Sequence, residues 1–150
     1  MKCVLLNGSP RGKKSNTGIL LEAFQEGFGS NPPPQLYIYR DSEEVLLSAV
    51  RKSDIIIFAF PLYTDLMPGK VKQYIESFDA GEWKGKRIGV IVQSGFPEAV
   101  HSSFIARYFK RLAENREALF IGEVVRGGVE GMQMMPERMT RGVRDSFRTL

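Results

Sequence analysis

Apolar positions along this chain follow two alternating rhythms, short unbroken runs and longer stretches in which they recur every three or four residues. The unbroken runs predict five strands: Cys3-Val4-Leu5-Leu6, Leu36-Tyr37-Ile38-Tyr39, Ile55-Ile56-Ile57-Phe58-Ala59-Phe60, Arg87 to Gln93, and Leu119 to Val125. The run from Ile55 is the most hydrophobic and contains no polar position, the pattern of a central parallel strand covered on both faces. The periodic stretches predict helices between them. The first runs from Asn16 to about Phe28, with Asn16 as N-cap and Ile19, Ala23, Phe24 and Phe28 at helical spacing. A short one begins at Asp41-Ser42-Glu43-Glu44 and reaches Val50; the next follows Pro68-Gly69 with Val71, Ile75 and Phe78 on one side. The fourth, from about Glu98 to Glu114, sets Val100, Phe104, Tyr108 and Leu112 on one stripe, and Pro136 opens a last, basic helix.

Strands and helices in strict alternation imply right-handed crossovers and an α/β fold with a parallel sheet between two helical layers. No repeat or linker divides residues 1–150, so one domain is expected. Ligands of such sheets bind beyond the carboxyl ends of the strands. Three loops meet there, residues 8–17, 61–68 and 94–97.

Composition narrows the setting without choosing a function. The net charge of +4 suits anionic small ligands, and the basic residues are not interleaved with aromatics as a nucleic-acid surface requires. No apolar run has the length of a membrane span, and Asn7 and Gly8 interrupt any leader-like segment. The lone Cys3 fits a buried position in a reducing cytoplasm.

The first loop, Asn7-Gly8-Ser9-Pro10-Arg11-Gly12-Lys13-Lys14-Ser15-Asn16-Thr17, joins a buried strand to a helix N-terminus, where backbone N–H groups and the helix dipole favour an anion. It is not a triphosphate loop: three residues separate Gly8 from Gly12 where four are needed, and Lys13 precedes Lys14, not Ser or Thr. No strand ends in the acidic residue that holds magnesium, since Asp54 lies at the start of its strand. The dinucleotide fingerprint G-x-G-x-x-G is absent too. What remains are hydroxyls, amides and Arg11, able to bind a monophosphate without metal; the alternative is a polar turn that merely caps the helix. The second loop, Pro61-Leu62-Tyr63-Thr64-Asp65-Leu66-Met67-Pro68-Gly69, is aromatic and apolar where a plain connection would be polar. A flat ring with a phosphate tail suits the pair, although Leu66 and Met67 also suit core positions.

These residues resemble the flavodoxin-like NAD(P)H-dependent FMN reductases and their quinone- and azo-reducing relatives. Gly8-Ser9-Pro10-Arg11 with Ser15-Asn16-Thr17 is similar to that family's FMN-phosphate loop. Ala59 to Tyr63, then Met67-Pro68-Gly69 and Lys72, is similar to its flavin-ring loop, and Gln93 to Glu98 to the fourth-strand loop of one branch. The resemblance spans residues 2 to about 131 and implies a three-layer α/β/α sandwich of strand order 2-1-3-4-5, bound FMN, NADPH or NADH as co-substrate and a homodimer. It implies Ser9, Arg11, Ser15, Asn16 and Thr17 around the phosphate; Pro61, Leu62, Tyr63, Thr64 and Asp65 along one side of the ring; and Ser94, Gly95 and Phe96 along the other. The acceptor would be a quinone, flavin, nitro or azo compound, with no catalytic acid, base or metal from the protein. A single cysteine excludes an iron–sulfur variant. A flavin electron carrier and a flavin-free interaction module are the competing readings. His101 is read as a structural helix residue over a substrate contact, and the arginines Arg138, Arg141, Arg144 and Arg148 as a solvated helix face over a site for the nicotinamide nucleotide's phosphates.

Overall fold

The computed structural model describes residues 1–63, 66–95 and 103–150. Along the chain run β1 (Cys3–Asn7), α1 (Asn16–Glu26), β2 (Gln35–Tyr37), α2 (Glu43–Lys52), β3 (Ile55–Pro61), α3 (Gly69–Ser77), β4 (Arg87–Gln93), α4 (Ser103–Asn115), β5 (Leu119–Arg126) and α5 (Glu137–Arg148). All strand pairs are parallel, in the expected order β2-β1-β3-β4-β5.

Alternate side chains of each strand enter opposite layers. Leu6, Ile56, Phe58, Phe60 and Val90 pack with α2, α3 and α4, whereas Leu5, Ile57, Ala59 and Ile91 pack with α1 and α5. This double cover is why β3 reads as an unbroken apolar run: every residue from Ile56 to Pro61 is buried. Phe58 anchors the larger layer, with ring centroids 5.9 Å from Trp83 and 5.4 Å from Phe109.

Several local expectations change. Helix α1 ends at Glu26, so Phe28 falls beyond it, half exposed, its ring against Phe24; the fully buried face is Leu20, Leu21 and Ala23. In α4 the sheet selects the stripe Ile105, Phe109 and Ala113, with Tyr108 and Leu112 at its margin and Phe104 in solvent under Arg107. Val100 lies outside the described residues. Met67 is core as expected, while Leu66 is exposed. Cys3 is half-buried, and burial pushes its thiol up to about 11, so it carries no thiolate at neutral pH.

The basic helix α5 is not wholly a solvated face. Arg144 and Arg148 both reach Glu26 at the end of α1, at 3.2 and 2.5 Å. The Arg148 hydrogen bond holds the Glu26 carboxyl below its usual range, so the clamp is present at neutral pH and is lost only as pH falls below the usual carboxylate range. Beside it, α1 and α5 touch backbone to backbone: a Cβ built on Gly27 would stand 2.2 Å from the Arg148 carbonyl oxygen. Gly27→Ala should therefore lever α5 outward and cost about 1–3 kcal/mol, seen as a lower urea midpoint. An unchanged midpoint would contradict this packing.

Candidate functional site

Register places the site. Asn7 lies opposite Ala59, Pro61 opposite Gln93 and Gln93 opposite Arg126, so neighbouring strands deliver their loops to one edge. Backbone bonds lash the first turns beyond the sheet: Gly8 N–H donates to Ala59 at 2.7 Å, Leu62 to Gln93 at 2.8 Å and Ser94 to Arg126 at 3.0 Å. The loops wall a cleft of about 290 Å³ lined by Ser9, Arg11, Ser15, Asn16, Pro61, Leu62, Tyr63, Gln93, Ser94, Gly95, Glu130 and Gln133. A larger groove of about 910 Å³, between Phe28, Pro34, Val45 and Ala49, lies at the amino ends of β1 and β3, away from the edge where such sheets bind ligands.

Inside the phosphate-type loop the side chains divide into builders and donors. The Ser15 hydroxyl donates to the Gly12 carbonyl at 2.5 Å and accepts from the Gly18 N–H at 2.9 Å. Ser15, not Asn16, is thus the N-cap of α1, because its extended backbone brings the hydroxyl under the helix entrance. Asn16 is the first helical residue and its amide is spent elsewhere: Nδ2 donates to the Val129 carbonyl at 2.7 Å, and Oδ1 accepts from the Gln133 N–H at 3.0 Å. Thr17 stands behind the cleft, 1% exposed, its hydroxyl accepting from Gln93 Nε2 at 3.4 Å.

The groups left for a ligand are the Ser9 hydroxyl, the exposed Arg11 guanidinium and the N–H groups of Asn16 and Thr17, none of which has a partner among the described residues. Unsatisfied N–H groups at a helix start, a hydroxyl and a guanidinium form a donor-rich set that fits a phosphate. Across the cleft, Pro61, Leu62 and Tyr63 add an apolar wall, with Tyr63 half exposed and its backbone bonded both ways to Leu66 at 2.8 and 3.0 Å. Among the described residues no cluster of three metal-ligating side chains occurs and no helix is long and apolar enough to cross a membrane.

Nine of the residues singled out from sequence line this cleft, namely Ser9, Arg11, Ser15, Asn16, Pro61, Leu62, Tyr63, Ser94 and Gly95. Thr64, Asp65, Phe96 and His101 lie outside the described residues. Gln93, which opens the fourth-strand motif, also lines the cleft, and Glu130 and Gln133 are additions that the motifs did not supply. The available signal was positional: Gly127-Gly128 and Gly131 follow β5 and so belong to the same sheet edge.

With this geometry in place, comparisons fix the class. A family model described as the flavodoxin-like fold matches residues 1–120, and the chain belongs to that family. Solved structures similar over nearly the whole chain include an NADPH-quinone reductase from P. pentosaceus, with 18% identity, TM-score 0.71 and coverage of 99% of this chain and 96% of that one. A Trp repressor binding protein from Bacillus subtilis superposes at TM-score 0.77, with 20% identity and 97% of each chain covered. The general stress protein 14 of Treponema denticola, solved in complex with FMN, gives 0.70 at 16% identity over 98% and 99% of the two chains. No curated protein sequence matches the chain.

If Ser15 is the clasp of this loop, Ser15→Ala should lower stability by about 0.5–2 kcal/mol in a urea titration, and Ser15→Thr should restore most of it. Equal midpoints for Ser15→Ala and the parent would show that the cap carries no load.

Proposed function

We propose that this protein is an FMN-dependent NAD(P)H oxidoreductase. The observation that carries the reading is the meeting, in one cleft, of a donor-rich anion cradle with an exposed apolar wall, at the sheet edge where flavodoxin-like folds bind their ligands. A flavin mononucleotide has both parts, a phosphate and a flat ring. The names of the similar structures, a quinone reductase and an FMN complex among them, support the same class.

In this reading the Ser9 hydroxyl, the Arg11 guanidinium and the Asn16 and Thr17 N–H groups hold the phosphate. Ser15 and Asn16 keep the loop in shape through their side chains. Pro61, Leu62 and Tyr63 border one side of the ring, with Thr64 and Asp65 continuing that loop, and Ser94, Gly95 and Phe96 border the other. Bound FMN would supply the redox chemistry between NADPH or NADH and a small quinone, flavin, nitro or azo acceptor. The protein binds and orients; none of its side chains need exchange a proton. Exposed Tyr63 and Leu66 at the cleft rim suit cover by a second copy, the homodimer that the family resemblance implies.

The test begins with the purified protein and an FMN titration followed by visible absorbance. FMN should bind, Arg11→Ala should weaken binding about tenfold or more, and anaerobic NADPH or NADH should bleach the bound flavin. Failure to bind FMN would overturn the proposal. Binding without bleaching by either nucleotide would replace it with an electron carrier.

A further inference from the structure

We propose that Glu130 is a cofactor-positioning residue whose carboxylate accepts hydrogen bonds from the ribityl hydroxyls of the bound flavin nucleotide. This rests on the FMN reading above and extends it to a loop that the family motifs do not include.

Glu130 lines the same cleft as Ser9, Arg11 and Ser94. Its loop is fixed by three hydrogen bonds from two sides: Asn16 holds Val129 and Gln133 at 2.7 and 3.0 Å, and the Val129 N–H donates to the Ser94 carbonyl at 3.2 Å. The carboxylate lies directly against residue 95. A Cβ built on Gly95 would stand 2.7 Å from Glu130 Oε2 and 3.3 Å from its Cδ. Gly95 is not among the glycines of positive φ, so backbone conformation does not demand a glycine there; a side chain at residue 95 would instead displace the Glu130 carboxylate from its present position. Glu130 itself has no hydrogen bond or ion pair among the described residues.

The Glu130 carboxylate is exposed and only accepts hydrogen bonds, so a ligand that covers it must offer donors in place of the water it displaces. It cannot face the phosphate, where two anions would repel, nor the apolar wall at Pro61 to Tyr63. Between a flavin's phosphate and its ring lies a chain of hydroxyl donors. Glu130 belongs with that middle section, with the neutral amides of Gln93 and Gln133 in the same cleft. In place of an adaptable water, a charged acceptor then fixes how far the ring sits from the phosphate cradle.

The test is a cycle of two proteins and two ligands: parent and Glu130→Ala, each titrated with FMN and with a flavin carrying a hydroxyl-free phosphopentyl chain. Glu130→Ala should weaken FMN by about tenfold to a hundredfold and leave the phosphopentyl flavin within about twofold, because hydrogen bonds to a charged group are the ones lost. Glu130→Gln should fall between, and equal urea midpoints would confirm intact folding of these surface-loop variants. Equal losses for both ligands, no loss for FMN, or tighter FMN binding by Glu130→Ala would each overturn the assignment. If the parent binds the phosphopentyl flavin and FMN alike, the parent reading stands and only the Glu130 role fails. If it binds neither, both fall.

Discussion

One hydroxyl governs the geometry of this site. Ser15 closes two hydrogen bonds at once, to Gly12 behind it and Gly18 ahead, and so turns the loop after β1 into the first turn of α1. A helix start always leaves N–H groups without internal acceptors. Here the cap satisfies Gly18 and leaves Asn16 and Thr17 without acceptors among the described residues, beside Ser9 and Arg11. The unsatisfied donors that would be a cost in a closed core lie open at the carboxyl edge of a parallel sheet, where they are free to serve as the proposed phosphate site.

Asn16 performs the complementary task. By bonding Val129 and Gln133 it draws the loop after β5 across to the entrance of α1, spanning strands that are not neighbours in the sheet. The cleft is therefore built from four loops, with the phosphate end and the β5 end mechanically joined. The same layer of the molecule is closed further along α1, where Glu26 holds Arg144 and Arg148 and Gly27 admits the end of α5. Exposed ion pairs of this kind contribute little singly. Their worth here is in holding the last helix against α1, whose start carries the cradle.

The layered fold was legible because its cause is local. A run such as Ile55 to Phe60 has no polar face to offer, so it must be covered on both sides, and alternation with amphipathic helices then leaves few topologies. The position of the first three loops followed from that topology. What escaped the sequence was partner choice. Ser15 and Asn16 are equally acceptable caps by residue type, and only the 113-residue reach of Asn16 to Val129 shows that its amide is engaged elsewhere. In α4, two adjacent stripes are apolar, and contact with Phe58 and Phe60 selects the one carrying Phe109. Arg144 reads as solvated until Glu26, 118 residues away, meets it. Glu130 looks like an ordinary loop acid until Gly95 supplies its seat.

In the proposed function the loop from Ser9 to Thr17 holds a phosphate monoester through hydroxyl, guanidinium and backbone donors, without a metal. The most direct measurement compares the affinities of FMN and riboflavin, which differ by that phosphate alone, in buffer containing EDTA. FMN should bind at least about a hundredfold tighter, the worth of two or more charge-assisted hydrogen bonds, with EDTA making no difference. Equal affinities, or a preference for FMN that EDTA removes, would contradict it.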